Sequence, residues 1–590
     1  MKSYQPGHPR PQFTRDKDSW KPLDGTWDFA FDDSDEGHNG GWFHSFPAGK
    51  KITVPFTYEY PASGIGDQSH HDVVWYQRTV ELDKEQGRRI LLHFEGSDYH
   101  TQVWVNGIFT GEHSGAYARF SLDITEAALQ GNNRITVRVE DSFDIAQPRG
   151  KQRWKDENFG CWYLQNTGIW KSVWIEQIPK THITGVKMTP VIEKGALEIE
   201  VELSHAGGDL NFEALVSFQG KAVNGVSVPA LKKRMALTLD LNSSQLWEWG
   251  IRSWSPEKPD LYDIEFRLTK NGAALDRVFS YFGMREIRIL GKSVLLNGSP
   301  LYQRLILDQG YWKESGITPP GEQALIDDID KIMAAGYNGV RKHQKTEDER
   351  FLYWADVKGL LVWSEMAAAY EFNDAAQKNF TREWLEILRQ NYNHPSIITW
   401  TPFNESWGVP HIQISGPQQH FTEAIYHLTK AYDPYRPVVC NDGWEHTVSD
   451  IVTLHDYEEG GEDFLGRYGD LEGILSNRVS HNKSRFAFAQ GYSYRGQPVI
   501  ISEFGGIAFS NRGEGWGYGN KVKSPEEYIK RFDAITTAIK KLGGVSGFCY
   551  TQVSDVQQEI NGIMDMDRNF KIAPEILKEI NTRKIGVIHS

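Results

Sequence analysis

The chain has 590 residues, 39% of them apolar and 24% charged, an ordinary globular composition too long for one hydrophobic core. Three or four domains of roughly 100–200 residues are expected, with room for a larger barrel. The net charge of -14 argues against nucleic-acid and anionic-membrane partners, which need basic patches, and no apolar run is long enough to span a bilayer. Cys161, Cys440 and Cys549 are odd in number and lack metal-ligand spacing, so buried free thiols are expected. The segment from Met1 to Arg10 has no apolar signal-peptide region, and a cytoplasmic protein is the expectation. Aromatic residues make up 13% of the chain and 20 of them are Trp. Most should pack cores, but such rings also stack on sugar C–H faces.

Residues 1–180 read as many short strands. Arg89–Phe94 and Thr101–Val105 have strand composition, Asn133–Glu140 alternates with period two, and Asn106-Gly107 is a type I′ hairpin signal. Strands with this turn punctuation predict a sandwich. Residues 181–287 are again strand-like. Leu197–Leu203 alternates with acids on one face, which suits an immunoglobulin-like β-sandwich held by packing without a disulfide.

From 288 to 590 the pattern becomes strand–helix alternation. Helices are predicted over Glu322–Ala335, Asp348–Lys358 and Phe380–Tyr392, with strands at Tyr337–Arg341, Leu360–Glu365 and Ile397–Trp400. Repeated β–α units over about 300 residues predict a (β/α)8 TIM barrel, with catalytic side chains at the C-terminal strand ends. The long stretch from Asp456 to Gln497 reads as a Gly- and charge-rich active-site insertion.

Two glutamates stand at such strand ends. Glu405 closes Trp400-Thr401-Pro402-Phe403-Asn404-Glu405, and Glu503 closes Val499-Ile500-Ile501-Ser502-Glu503. A retaining glycosidase needs this pair: one carboxylic acid to protonate the leaving oxygen and one carboxylate to attack the sugar carbon. Glu405 is read as the acid/base and Glu503 as the nucleophile. Asn404 can donate to a hydroxyl beside the reacting carbon, and Gly505 and Gly506 permit close approach behind Glu503. Retention places the carboxyl groups about 5–5.5 Å apart and inversion about 6.5–9.5 Å.

These motifs make the chain resemble glycoside hydrolase family 2, the family of β-galactosidases, β-glucuronidases and β-mannosidases. The resemblance extends to Leu23-Asp24-Gly25-Thr26-Trp27, Val74-Trp75-Tyr76-Gln77-Arg78, Val103-Trp104-Val105-Asn106-Gly107 and Gly168–Trp174 in the first domain. It implies a jelly-roll sugar-binding-like domain, an immunoglobulin-like domain and a catalytic barrel, in that order, and a retaining double displacement. It also implies substrate-site roles for Asp308 after the first barrel strand, Arg341 as orienter of the nucleophile, and His455 and Tyr457 at the sixth strand end. His343 is displaced from the family's Arg-x-x-His spacing, where Gln344 stands instead. Trp407 and Tyr550 are candidate sugar platforms.

Departures bear on the substrate. The Asn-x-Lys motif of the family's β-glucuronidases is replaced by Asn561-Gly562-Ile563, so a cation for a uronate carboxylate is missing there, although Lys342 or Lys345 could supply one. The expectation is therefore an exo-acting enzyme on terminal neutral sugars, β-galactosidase-type. A β-D-galactofuranosidase or α-L-arabinofuranosidase is the alternative, followed by a β-glucuronidase or a non-catalytic carbohydrate-binding protein. No cofactor and no metal site are expected, since His455 with Asp456 is too thin a ligand cluster for a metal-dependent hydrolase. The expected partner is a carbohydrate. Members of the family often self-associate, so a homo-oligomer is also an expectation, with no interface legible.

Overall fold

A computed structural model describes the chain except residues 48, 243–249, 511–514 and 587–590. The N-terminal domain packs a six-stranded antiparallel sheet, centred on Val73–Leu82 and Gly131–Glu140, over a four-stranded sheet that includes Arg88–Phe94 and Val173–Pro179. Inward side chains of both sheets, among them Trp27, Phe29, Val74, Tyr76, Leu92, Val137 and Ile175, fill the space between. Full burial of each such side chain contributes about 1.5–3 kcal/mol. Asn106 and Gly107 take φ of 54° and 81°, as the hairpin signal requires.

The second domain sets a three-stranded sheet against a four-stranded one. Along Ala196–Leu203 the apolar residues Leu197, Ile199, Val201 and Leu203 are buried while Glu200 and Glu202 are exposed, so the period-two pattern sets the face. All three cysteines are free and lie outside this domain.

The third domain is the barrel. Its strands are β1 (Gln303–Asp308), β2 (Gly339–Lys342), β3 (Leu361–Glu365), β4 (Ile397–Thr401), β5 (Asn441–Asp442), β6 (Val452–Asp456), β7 (Val499–Gly505) and β8 (Val545–Thr551). Seven form one parallel sheet in the order β4-β3-β2-β1-β8-β7-β6. The two-residue β5 fills the remaining place, pairing in parallel with Phe403–Asn404 just beyond β4. Helices α1 (Glu322–Ala334), α2 (Glu349–Lys358), α3 (Asp374–Asn391), α4 (Gly416–Tyr432), α5 (Gly461–Tyr468), α6 (Leu471–Leu475), α7 (Pro525–Lys541) and α8 (Pro574–Thr582) surround it. Trp363, Ile398, Ile500 and Cys549 are buried together at the barrel base, and the helices pack their apolar faces on the outside.

One expectation needs correction. Helix α3 starts six residues before Phe380, because Asn373 caps it by accepting the Ala376 N–H; its first turns are small and polar and carry no apolar period. The stretch after Asp456 holds α5 and α6, and Arg467 of α5 is tied back to Asp456 at 2.6 Å.

The segment 141–167 of the first domain leaves its sandwich and lies across the barrel mouth. Arg149 and Gly150 donate to the Ala368 carbonyl at 2.8 and 3.0 Å, and the Leu164 N–H reaches the Gln557 side chain at 3.0 Å. From α3, Glu383 reaches the other way and accepts the N–H groups of Tyr117 and Ala118. No described helix is long and apolar enough to cross a membrane.

Candidate active site

Arg341, near the end of β2, is fully buried at the centre of the barrel mouth. Its planar fork of donors spreads over three carboxylates from three other strands. Nε reaches Glu365 of β3 at 2.7 Å, Nη2 reaches Asp442 of β5 at 2.7 Å, and Nη1 reaches Glu503 of β7 at 3.2 Å. Burial disfavours the cation, but the charges of Asp442, Glu365 and Glu503 outweigh it and hold the guanidinium pKa well above its usual value. Nη2 also donates to Asn404 Oδ1 at 3.0 Å, which leaves Asn404 Nδ2 buried without a protein partner.

Glu503 accepts from Arg341 on one oxygen and from the Tyr457 hydroxyl on the other. Tyr457 is itself held, because Tyr518 stacks on it with ring centroids 3.4 Å apart and planes 3° apart. Gly506 makes this possible. Its φ is 55°, and a Cβ there would lie 2.3 Å from Tyr518 Cδ2.

Glu405 stands just past β4 in a turn where it and Ser406 have φ of 51° and 60°. Two successive left-handed non-glycine residues cost about 1–3 kcal/mol each. The turn is pinned by Glu405 N–H to the Asp442 carbonyl at 2.9 Å, Ser406 N–H to Asn441 Oδ1 at 3.0 Å, and Ser406 Oγ to Glu445 at 2.7 Å. Between the two glutamates lies His455 of β6, fully buried. Its Nδ1 is 2.8 Å from Glu405 Oε1 and 3.6 Å from Glu503 Oε2, and its Nε2 is 2.8 Å from Asp442 Oδ2. One carboxylate oxygen from each glutamate and one His455 nitrogen all lie within 4.8 Å of one another. Among the described residues this is the one trio of metal-type donors so close. The 2.8 Å contact is a hydrogen bond, shorter than two donors sharing an ion at about 2.0 Å each in tetrahedral geometry would be.

The charges are strongly coupled. Burial lowers the His455 pKa, but the Glu503 and Asp442 charges and the bonds to Asp442 and Glu405 raise it to about 10. Burial raises that of Glu405, yet His455, Lys151 and His343 bring it below its ordinary value. The 2.8 Å bond between them thus favours the carboxylate form of Glu405 and the protonated form of His455.

The other sequence-predicted residues divide. His343 is at the site, with Nδ1 3.0 Å from Glu365 Oε2. Trp407 is half-buried in an aromatic wall with Trp162 and Tyr370, at ring separations of 5.2 and 5.6 Å. Asp308 is instead committed to its loop, accepting Lys342 Nζ at 2.7 Å on one oxygen and the Gly310 N–H at 2.8 Å on the other. Tyr550 is corrected outright as a platform. It is fully buried between Gly505 and Phe532, with its hydroxyl 2.6 Å from that of Tyr528, so it offers no face to a sugar. Lys342 and Lys345 are also spent, on Glu347 at 2.5 and 3.1 Å.

Several site residues escaped the sequence reading. Glu365 ends an apolar strand just as Glu405 and Glu503 end theirs, so a signal existed. Asp442 follows the shorter apolar run Val438-Val439-Cys440, a weaker form of the same signal. Lys151, Cys161 and Tyr163 come from the first domain. Glu559 is bonded to the Tyr163 hydroxyl and to Asn561 Nδ2 at 2.9 Å, and Gln552 joins Gln309 to Asn561 at 2.7 Å on each side. Burial lowers the Lys151 pKa, but Cys161, Tyr370, Glu559 and Glu405 more than reverse this, so Lys151 stays charged beside the pocket. Burial raises that of Glu559 against the pull of Lys151 and favours its neutral form.

A parallel eight-stranded barrel with two facing carboxylates at strand ends, an arginine between them and an aromatic wall defines a glycoside hydrolase. Residues 20–179 match the sugar-binding domain model of glycosyl hydrolases family 2, residues 181–285 the model named for the family itself, and residues 287–585 its TIM barrel domain. The chain belongs to glycoside hydrolase family 2. It is 26% identical over 551 residues to a β-glucuronidase of Chlorocebus aethiops, spanning 84% of this chain and 79% of that one. It is 28% identical over 362 residues to a β-galactosidase of Thermoanaerobacter pseudethanolicus, spanning 59% and 47%. Among solved structures, a family 2 β-galacturonidase of Eisenbergiella tayi shares the fold over 98% of both chains, with TM-score 0.74 and 22% identity. A β-glucuronidase of Ruminococcus gnavus does so over 98% and 99%, with TM-score 0.79 and 18% identity.

Proposed function

We propose that this enzyme is an exo-acting retaining glycosidase, with Glu503 as nucleophile and Glu405 as acid/base. The observation that carries the reading is the closeness of the two carboxylates: one oxygen of each lies within 4.8 Å of the other, which suits the short separation of a retaining pair and is below that of an inverting one. Arg341 and Tyr457 hold Glu503 from both sides, and the unpartnered Asn404 amide is free for a sugar hydroxyl. The Glu559–Tyr163–Gln309–Gln552–Asn561 network lies within electrostatic reach of Lys151 and His343 and offers polar groups suited to a terminal glycone.

For the glycone, Lys151 favours a hexuronide over the neutral galactoside expected from sequence. Lys342 and Lys345 are paired with Glu347, and Lys571 with Asp555 at 2.6 Å. Lys151 makes no salt bridge among the described residues, and it donates to the Cys161 thiol at 3.2 Å. A cation so placed suits a sugar carboxylate, as does the naming of several relatives as β-glucuronidases.

The test is a panel of p-nitrophenyl glycosides: β-glucuronide, β-galacturonide, β-galactopyranoside, β-galactofuranoside, α-L-arabinofuranoside and β-mannoside, with Glu503→Ala as the blank. Turnover should vanish in Glu503→Ala and return with azide as an inverted product; unchanged activity in that variant sinks the assignment. Lys151→Met should lower uronide kcat/KM at least about 100-fold, the loss of one buried charge pairing. Faster turnover of a neutral glycoside by the unmodified enzyme rejects the uronide reading.

A further inference from the structure

An acid/base glutamate must be a carboxylic acid when the glycosidic bond breaks. Here Glu405 is hydrogen-bonded to His455 Nδ1 at 2.8 Å, a contact that favours the carboxylate over the acid. The geometry around His455 offers a way out of this conflict. Its Nδ1 faces Glu405 Oε1 at 2.8 Å and Glu503 Oε2 at 3.6 Å, while its Nε2 is fixed on Asp442 Oδ2 at 2.8 Å. Asp442 is pinned in turn by Arg341 at 2.7 Å. The ring cannot swing away. It is fully buried, Trp444 packs against it at 5.5 Å, and a Cβ on Gly443 would meet its Nδ1 at 2.6 Å.

We propose that His455 stores the proton of the acid/base pair and exchanges it with Glu405 as the charge of Glu503 comes and goes. This rests on the retaining reading above. In the first step Glu503 attacks the anomeric carbon, and the bond to the leaving oxygen breaks with its electron pair on that oxygen. The proton moves from His455 Nδ1 to Glu405 and from Glu405 to the leaving oxygen, so Glu405 ends this step as a carboxylate, ready to act as base. Glu503, now an ester, no longer supports an imidazolium, so the ring ends neutral with its remaining N–H on Asp442. In the second step water attacks the anomeric carbon and the ester bond breaks with its electrons on Glu503. The proton lost by water passes through Glu405 to His455, and the starting charges are restored. His455 touches no substrate in this scheme and acts as a positioning and proton-holding residue for Glu405.

The groups that face His455 fit this role. The carboxylates Glu405, Asp442 and Glu503 approach from β4, β5 and β7 and favour its charged form. Arg341 of β2 acts through Asp442. His446 and His481 lie within its electrostatic reach, and burial lowers the pKa of each to about 4, so neither competes for the proton. Tyr457 is occupied with Glu503.

The experiment compares His455→Asn with the unmodified enzyme on two leaving groups over a range of pH. Asn keeps a donor near Glu405 but cannot hold a proton. A methyl glycoside, whose departure needs the proton, should lose about 100-fold or more in kcat/KM at pH 8, and a dinitrophenyl glycoside about 10-fold or less. The basic limb of kcat/KM should move towards acid by at least about two pH units. Equal losses on both leaving groups with an unmoved limb overturn the proposal. Because the variant could fold poorly, nitrogen-15 histidine spectra of the unmodified enzyme provide a second test. The His455 ring should be charged at pH 8 in the free enzyme and neutral after the glycosyl-enzyme is trapped with a 2-fluoro glycoside. An unchanged ring charge also overturns it. If Glu503→Ala is inactive and either overturning result is found, the retaining mechanism stands and only the proton store is rejected.

Discussion

Replacing Glu383 with Gln tests how the first domain is held on the barrel. Glu383 sits on α3, is buried, and accepts the Tyr117 N–H at 2.6 Å and the Ala118 N–H at 3.3 Å with one oxygen. Its other oxygen is buried without a partner. Burial, opposed by the two backbone donors and His113, raises its pKa from 4.5 to about 7. The folded state therefore keeps a proton that the unfolded chain releases between those two values. The stability this proton confers is complete below pH 4.5 and is lost as pH rises through 7. At about 1.4 kcal/mol per pH unit, the loss reaches at most about 3 kcal/mol. Glu383→Gln keeps an acceptor for the two N–H groups and does not titrate. Its stability relative to the parent should climb by that amount between pH 5 and pH 8. With about 2 cal/mol/K of unfolding entropy per residue over a barrel of about 300 residues, this is about 5 °C in the difference of Tm. Differential scanning fluorimetry of both proteins across this pH range makes the measurement. Parallel Tm curves, or a growing deficit for the Gln variant at high pH, would refute the reasoning.

Arg341→Lys should cost about 3–5 kcal/mol in transition-state stabilisation, because one ammonium cannot serve three buried carboxylates; kcat/KM then falls about 100- to 5,000-fold, and retention within 10-fold contradicts the clamp. Gly506→Ala should lower kcat about 10-fold or more with the fold intact by circular dichroism, since the new methyl displaces Tyr518 and with it Tyr457; full activity would show that the stacked pair does not position Glu503. Dialysis against EDTA should leave the rate unchanged, because Glu405 and His455 bond each other directly; a loss restored by a divalent cation contradicts this.

The barrel was legible because its strands are short apolar runs with a charged residue at the end, and the same feature exposed Glu405 and Glu503. Arg341 was legible from its place on the second strand, but its true reach was not. A sequence does not say that one guanidinium spans Glu365, Asp442 and Glu503, since these meet only when the sheet curves. Asp442 was passed over because β5 has two residues and the apolar run before it, Val438-Val439-Cys440, is only three residues long. Tyr550 shows the opposite failure: an aromatic residue on the strand beside Glu503 looks like a platform until the ring is found filling the space that Gly505 leaves empty. The reading of the substrate had least of the fold to work with. It searched the barrel for a cation, while Lys151 lies about 150 positions before the first barrel strand's end and is brought in by another domain.

That last arrangement bears on how such an enzyme changes its diet. The chemical machinery belongs to the barrel, yet part of the wall against the sugar belongs to a segment hung from a β-sandwich that takes no part in bond breaking. Substitutions in 141–167 can therefore alter which glycoside is accepted without touching the residues that cleave it. The same dependence runs in reverse: a barrel expressed alone would keep both glutamates and lose Lys151, so under the proposed uronide reading selectivity is a property of two domains held in contact.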